Sequence, residues 1–162
     1  MPESITKQSV LTVYPSLADV PEEVQVLIEK AQEAAMKAYA KYSDFLVGAA
    51  VLLADGSIMM GNNQENACYP AGLCAERVAF FAAKSNKPDV DILKVAIVAK
   101  RREDHFFRAA SPCGSCRQVM SEYENNQENP IVLYMMDMDG KVYESPSIEN
   151  LLPFKFSEDS LK

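Results

Sequence analysis

Three cysteines and one glutamate carry the chemistry that this sequence displays most plainly. Cys113 and Cys116 form a Cys-x-x-Cys pair directly after Ser111-Pro112, and Cys74 precedes Glu76 by two residues. Both segments read as helix starts. Residues at i and i+3 of a helix share a face, and thiolates at helix N-termini are favoured by free N–H groups and the helix dipole. If the two helices lie side by side on one sheet face, their N-termini meet at the same sheet edge. Three thiolates then converge on one point, a donor set suited to tetrahedral Zn²⁺. Three protein ligands leave the fourth position for water, which separates a catalytic zinc from a structural one. Zinc acidifies such a water toward hydroxide, and Glu76 is the proton carrier beside it.

The remaining reactive residues read as bystanders. A reducing compartment disfavours a disulfide framework for the four cysteines, which leaves metal ligands, nucleophiles or core filler as their roles. Cys68 as a fourth ligand would close the site and make the zinc structural. It lies in an irregular stretch without a partner motif, so it is expected as a small buried hydrophobe. His105, the only histidine, sits in the charged run Arg101-Arg102-Glu103-Asp104-His105 and is expected to be solvated. Met59, Met60, Met135, Met136 and Met138 read as core filling or hairpin surface.

The elements that must position this group alternate between helix and strand. A β-prone run at 9–14 reads as a candidate edge strand. Asp19, then Pro21-Glu22-Glu23, opens a helix with a capping side chain, Pro and acids in the first turn. It runs to about Ala40, with Val24, Leu27, Ile28, Ala31, Ala34, Ala35 and Ala38 on its apolar side. Residues 47–54 form a buried strand, Asp55-Gly56 a hairpin turn, and 57–61 the returning strand. An irregular polar stretch, 62–72, leads to a helix that starts near Cys74, continues through Phe80, Phe81 and Ala83, and is broken by Pro88. A strand at 92–99, a charged loop at 100–110, a helix from near Cys113 to about Glu124, strands at 131–136 and 141–144, and a short helical piece at 148–152 complete the chain. Strands 57–61, 92–99 and 131–136 are joined through helices and should lie parallel by right-handed crossovers. The gap at Asp139-Gly140 is too short for a crossover, so the last pair must be antiparallel.

A chain of 162 residues suits one domain with one sizeable core. Its 48% apolar and 24% charged content is that of an ordinary globular protein. A net charge of −7 without a basic stripe argues against DNA, RNA or an anionic membrane surface as partner, because such binding leans on Lys and Arg meeting phosphates. The N-terminal residues lack a basic region followed by an apolar run, and no apolar stretch approaches the ~20 residues of a membrane span. A cytoplasmic address is the expectation.

Cys74-Ala75-Glu76-Arg77 together with Ser111-Pro112-Cys113-Gly114-Ser115-Cys116-Arg117-Gln118-Val119 resembles the small cytidine deaminases. A ligand-x-Glu followed by Pro-Cys-x-x-Cys is the general zinc-deaminase signature. Tyr42-Ser43-Asp44-Phe45 before Val47-Gly48-Ala49-Ala50, Asn63-Gln64-Glu65-Asn66-Ala67, and Leu151-Leu152-Pro153 with Phe156 extend the resemblance over about residues 36–156. The resemblance implies a three-layer α/β/α fold with a mixed five-stranded sheet, its last two strands antiparallel. It divides the chain into an N-terminal extension, 1–20, and a catalytic domain, 21–162. It implies one Zn²⁺ per chain on Cys74, Cys113 and Cys116, with Glu76 as proton shuttle and Arg77 donating to the thiolates. It further implies a ribose clamp of Asn63 and Glu65, with Gln64 acting by chain position, and Phe45 as an aromatic wall. Ala75 offers its N–H to the base carbonyl and Ser111 its C=O to the exocyclic amine. Tyr69 and Phe156 reach a site at a subunit boundary in a homotetramer. The implied partner is a pyrimidine nucleoside, with hydrolytic deamination of cytidine and deoxycytidine in pyrimidine salvage.

Three other functions compete. A polynucleotide-editing deaminase needs basic contacts to phosphates, which an acidic chain lacks, and its family resemblance calls for parallel last strands. A deaminase of another cytosine-bearing small molecule shares the metal signature, though the Asn63-Gln64-Glu65-Asn66 segment favours an ordinary nucleoside. A non-catalytic zinc-stabilised domain would have no use for Glu76 beside three ligands.

Overall fold

The computed structural model describes residues 2–162; Met1 of the N-terminal extension lies outside the described residues. The strands are β1 (Thr12–Tyr14), β2 (Phe45–Leu53), β3 (Ile58–Asn62), β4 (Ile92–Arg101), β5 (Val132–Met136) and β6 (Val142–Ser145). The helices are α1 (Glu22–Ala35), α2 (Ala75–Asn86) and α3 (Gly114–Asn125). The strands form one sheet in the order β1-β6-β5-β4-β2-β3. One sheet face is covered by α1, whose Val24, Leu27, Ile28 and Ala31 meet Ala50, Ala96, Val98 and Tyr134. The other is covered by α2 and α3, where Ala79, Phe80 and Met120 meet Val51, Val95, Ile97 and Leu133. Alternate residues of β2 and β4 thus serve two cores, which is why both strands read as unbroken apolar runs.

Four expectations need correction. The sheet has six strands among the described residues, because Thr12–Tyr14 pairs antiparallel with β6 and adds the edge that a five-stranded reading omits. Residues 58–62 run in the direction of β4 without pairing to it. The antiparallel β2 lies between them, and the parallel neighbours are β4 and β5. Helix α1 ends at Ala35 rather than near Ala40, since the backbone of Tyr39 is captured by the 63–65 segment: its N–H donates to Asn63 O at 3.0 Å, and Glu65 N–H donates to its carbonyl at 2.9 Å. Asp19 does not cap α1. Its carboxylate accepts the N–H and hydroxyl of Ser16 around the short 3-10 turn Leu17–Asp19, and Pro21 occupies the N-cap of α1. The final hairpin is antiparallel, as its short turn requires, from Leu133 opposite Ser145 to Met136 opposite Val142.

Two glycines bring helix backbones onto the sheet. A Cβ on Gly48 would stand 1.9 Å from Ala31 O of α1, and one on Gly61 would stand 2.4 Å from Ala79 N and 2.5 Å from Ala75 O of α2. These neighbours are backbone, so a methyl group forces the helix away. Gly61→Ala is expected to lower unfolding free energy by about 1–3 kcal/mol or more. It should also disturb the first turn of α2, which carries Glu76. Thermal unfolding and zinc content measure the two effects; an unchanged melting midpoint would mean that α2 does not pack as described.

Candidate metal centre and cavity

Cys74 is the N-cap of α2 and Cys113 the N-cap of α3, both with extended backbone. Cys116 lies in the first turn of α3 and is fully buried. The helices lie on the same sheet face, so their N-terminal ends converge. The sulfurs of Cys74, Cys113 and Cys116 all lie within 4.8 Å of one another, and those of Cys113 and Cys116 are 3.5 Å apart. A tetrahedral zinc with Zn–S bonds of about 2.3 Å sets its sulfurs about 3.8 Å apart, so the spacing fits that ion.

The charges fit it too. The Cys74 thiol is held down to about 5, first by its hydrogen bond with Cys116 and then by Arg77, against the opposing effect of burial. The same bond with Cys74, together with burial, pushes the Cys116 thiol up. Between these two sulfurs the negative charge favours Cys74, and a cation is needed to hold both as thiolates. Arg77 supplies part of that charge: its Nη2 donates to Cys74 Sγ at 3.8 Å and to Gly72 O at 3.5 Å. Its buried Nε has no hydrogen-bond partner among the described residues. Glu76 is 4% exposed. Burial raises its carboxyl above the ordinary range and the neighbouring Cys74 adds to that, while Cys116 and Arg77 act the other way.

The centre opens on a cavity of about 610 Å³. Phe45, Asn63, Gln64, Glu65, Tyr69, Cys74, Glu76, Ser111 and Cys113 all line it. Cys116, Ala75 and Arg77 stand behind the lining; Ala75 is the first residue of α2, where backbone N–H groups lack intrahelical acceptors. Phe156 does not reach the cavity. It is 57% exposed, and its carbonyl accepts from Gln118 Nε2 at 2.9 Å. Tyr69 is 76% exposed at the rim, edge-on to Tyr42 with ring centroids 6.2 Å apart.

The polar residues of the cavity are already engaged. Asn63 Oδ1 accepts from Val47 N at 2.8 Å and its Nδ2 donates to Phe45 O at 2.9 Å, extending the edge of β2 with a side chain. Glu65 accepts the N–H groups of Tyr42 and Ser43 at 2.7 and 3.3 Å and the Ser43 hydroxyl. The Ser43 hydroxyl is the first cause that lowers the Glu65 carboxyl. The backbone of Gln64 bonds in both directions to Leu73, tying this segment to the approach of Cys74.

Cys68 is exposed and outside the sulfur cluster, contrary to its expected burial. Its N–H donates to Asn66 Oδ1 at 2.8 Å, which turns the chain outward before the 3-10 turn Tyr69–Ala71. His105 is exposed, as its charged surroundings require. Met135 and Met136 are buried, Met60 and Met138 exposed.

Sequence reasoning missed Arg117. Its guanidinium donates to Pro112 O at 2.8 Å, Ser111 Oγ at 2.8 Å and Leu151 O at 3.0 Å, fixing the Ser111-Pro112 segment against the C-terminal turn. The residue stands next to Cys116 in the motif, but only the distant Leu151 shows what it does. Tyr42, Ser43 and Ile97 also line the cavity without having been singled out.

A site of this make defines a class, the zinc hydrolases that activate water beside a proton-carrying carboxylate. Similarity to known proteins narrows it. A family model, cytidine and deoxycytidylate deaminase zinc-binding region, matches residues 21–129, and the chain belongs to that family. It is 39% identical to a cytidine deaminase of Sporosarcina psychrophila over 86% of this chain and 95% of that one. It is likewise 39% identical to a cytidine deaminase of Halalkalibacterium halodurans over 85% and 96%. The crystal structure of cytidine deaminase from Burkholderia pseudomallei superposes with a TM-score of 0.69 at 39% identity, covering 81% of this chain and 97% of that one. No helix among the described residues is long and apolar enough to cross a membrane.

Proposed function

We propose that this chain is a zinc-dependent cytidine deaminase that hydrolyses cytidine and deoxycytidine to uridine and deoxyuridine with release of ammonia. The observation that carries the proposal is the trio Cys74, Cys113 and Cys116 within 4.8 Å, of which Cys74 and Cys113 line a cavity together with Glu76. Zinc held by those three sulfurs would acidify a water for attack on C4 of the base.

The chain's own residues do the rest. Glu76 accepts a proton from the attacking water and delivers it to N3, then carries the proton that leaves with ammonia. A carboxyl that alternates between base and acid is served by a dry setting that raises its pKa, and Glu76 is buried. Phe45 walls the base. The first N–H groups of α2, Ala75 among them, face the base carbonyl, and the Ser111 carbonyl takes the exocyclic amine, with Arg117 holding that segment. Asn63 and Glu65 read the sugar, and Gln64 acts through its backbone. Tyr69 and Phe156, both exposed in the single chain, complete sites across subunit boundaries in a homotetramer. The role is pyrimidine salvage in the cytoplasm. The net charge of −7 supports a free nucleoside over a polynucleotide as substrate.

Incubation of zinc-loaded protein with cytidine tests the activity directly. The ultraviolet absorbance change of conversion to uridine should appear with one ammonia per nucleoside; an unchanged spectrum rejects the proposal. Arg77 carries a further prediction. Three thiolates on one Zn²⁺ make a net −1 site, which weakens acidification of water, and Arg77 beside Cys74 withdraws charge. Arg77→Ala is expected to lower turnover more than zinc content, measured on the same preparation; unchanged turnover refutes that role.

A further inference from the structure

The segment Tyr42-Ser43-Asp44-Phe45 leads into β2 through a turn, with Asp44 at φ 52°, a left-handed conformation. Arg102 braces it from outside: Nε donates to Asp44 Oδ1 at 2.9 Å, and the Arg102 N–H donates to Asp44 O at 2.9 Å. From the cavity side the brace is Glu65. One carboxylate oxygen takes the N–H groups of Tyr42 and Ser43, and the other takes the Ser43 hydroxyl. That hydroxyl in turn accepts the Phe45 N–H at 3.0 Å. A carboxylate offers about four acceptor sites. The loop uses three, which leaves one on the oxygen that Ser43 holds. Ser43 and Glu65 both line the cavity.

We propose that Ser43 is a positioning residue for sugar recognition: its hydroxyl fixes the Glu65 carboxylate so that the remaining acceptor site meets a sugar hydroxyl of the nucleoside. The proposal rests on the reading of Glu65 as a sugar-binding residue. Without Ser43 the backbone N–H groups still hold one oxygen of Glu65, but the other is free to turn, and a charge-assisted bond to the sugar loses its preset direction. The effect must fall on substrates with sugar hydroxyls. Any loss transmitted through Phe45 falls on all substrates alike and cancels in their ratio.

The test compares kcat/KM for cytidine and 2′,3′-dideoxycytidine in the zinc-loaded enzyme. Ser43→Ala, and Ser43→Gly as a second variant lacking the hydroxyl, should lower the cytidine to dideoxycytidine ratio about tenfold, with the loss in KM. Ser43→Thr should restore it. If Glu65→Gln lowers the ratio and the two Ser43 variants do not, or if they raise it, the positioning role is overturned while the Glu65 reading stands. If Glu65→Gln leaves the ratio unchanged, the Glu65 reading fails and this proposal with it.

Discussion

Glu76→Gln is expected to retain one zinc per chain and to lose turnover by about 10²–10⁴-fold, the usual contribution of a positioned acid–base group. The amide has the shape of the carboxyl, so it fits the same buried position at the start of α2 and leaves the sulfurs of Cys74, Cys113 and Cys116 where they are. It cannot take a proton from water or return one to the base. Folding should not suffer, because a neutral group replaces one whose charged form burial disfavours. Zinc analysis and cytidine turnover on one preparation settle the matter. A variant that keeps its activity would remove Glu76 from the chemistry, and one that loses its metal would make Glu76 a structural support of the site.

How much of this was legible beforehand follows from how local each feature is. Cys74, Glu76, Cys113 and Cys116 lie in the first turns of two helices or at their caps, so spacing alone predicts their faces, and one assumption about adjacent helices brings them together. The turns at Gly56 and Gly140, with φ of 81° and 78°, are equally local. Strand β1 is not. It has three residues, two of them exposed, and is a strand only because β6 supplies a partner from the far end of the chain. The early end of α1 has the same cause, since Tyr39 is claimed by Asn63 and Glu65.

The cavity was legible in its membership and hidden in its bonding. Asn63 and Glu65 stand out as polar residues in an irregular stretch, yet nothing in that stretch reveals that they brace the backbone of residues 42–47. Arg117 is the sharper case. A cation beside a Cys-x-x-Cys pair has many uses, and the contact with Leu151 carbonyl that defines its role spans 34 positions. Residue type favours burial of Cys68, whereas the residue is exposed, with its N–H held by the Asn66 side chain in a local turn.

Removal of zinc is the second large effect. A chelator should abolish deamination, and one equivalent of zinc should restore it. Cys116 is pushed up while Cys74 is held down, so Cys116 carries its proton at neutral pH in the metal-free chain and must release it on binding. Zinc affinity should therefore fall as pH falls, with proton release measurable in weakly buffered solution. Metal that binds only the folded chain stabilises it; free zinc at about a thousand times its Kd contributes roughly 4 kcal/mol, a melting shift on the order of ten degrees. Cys116→Ser should lose both the shift and the activity. Cys68→Ser should lose neither, because Cys68 is exposed and outside the cluster. If Cys68→Ser released the metal, Cys68 would be a fourth ligand, no position would remain for water, and the zinc would be structural. Full turnover by chain freed of metal would be equally decisive, since Glu76 alone cannot make water attack the base at a useful rate.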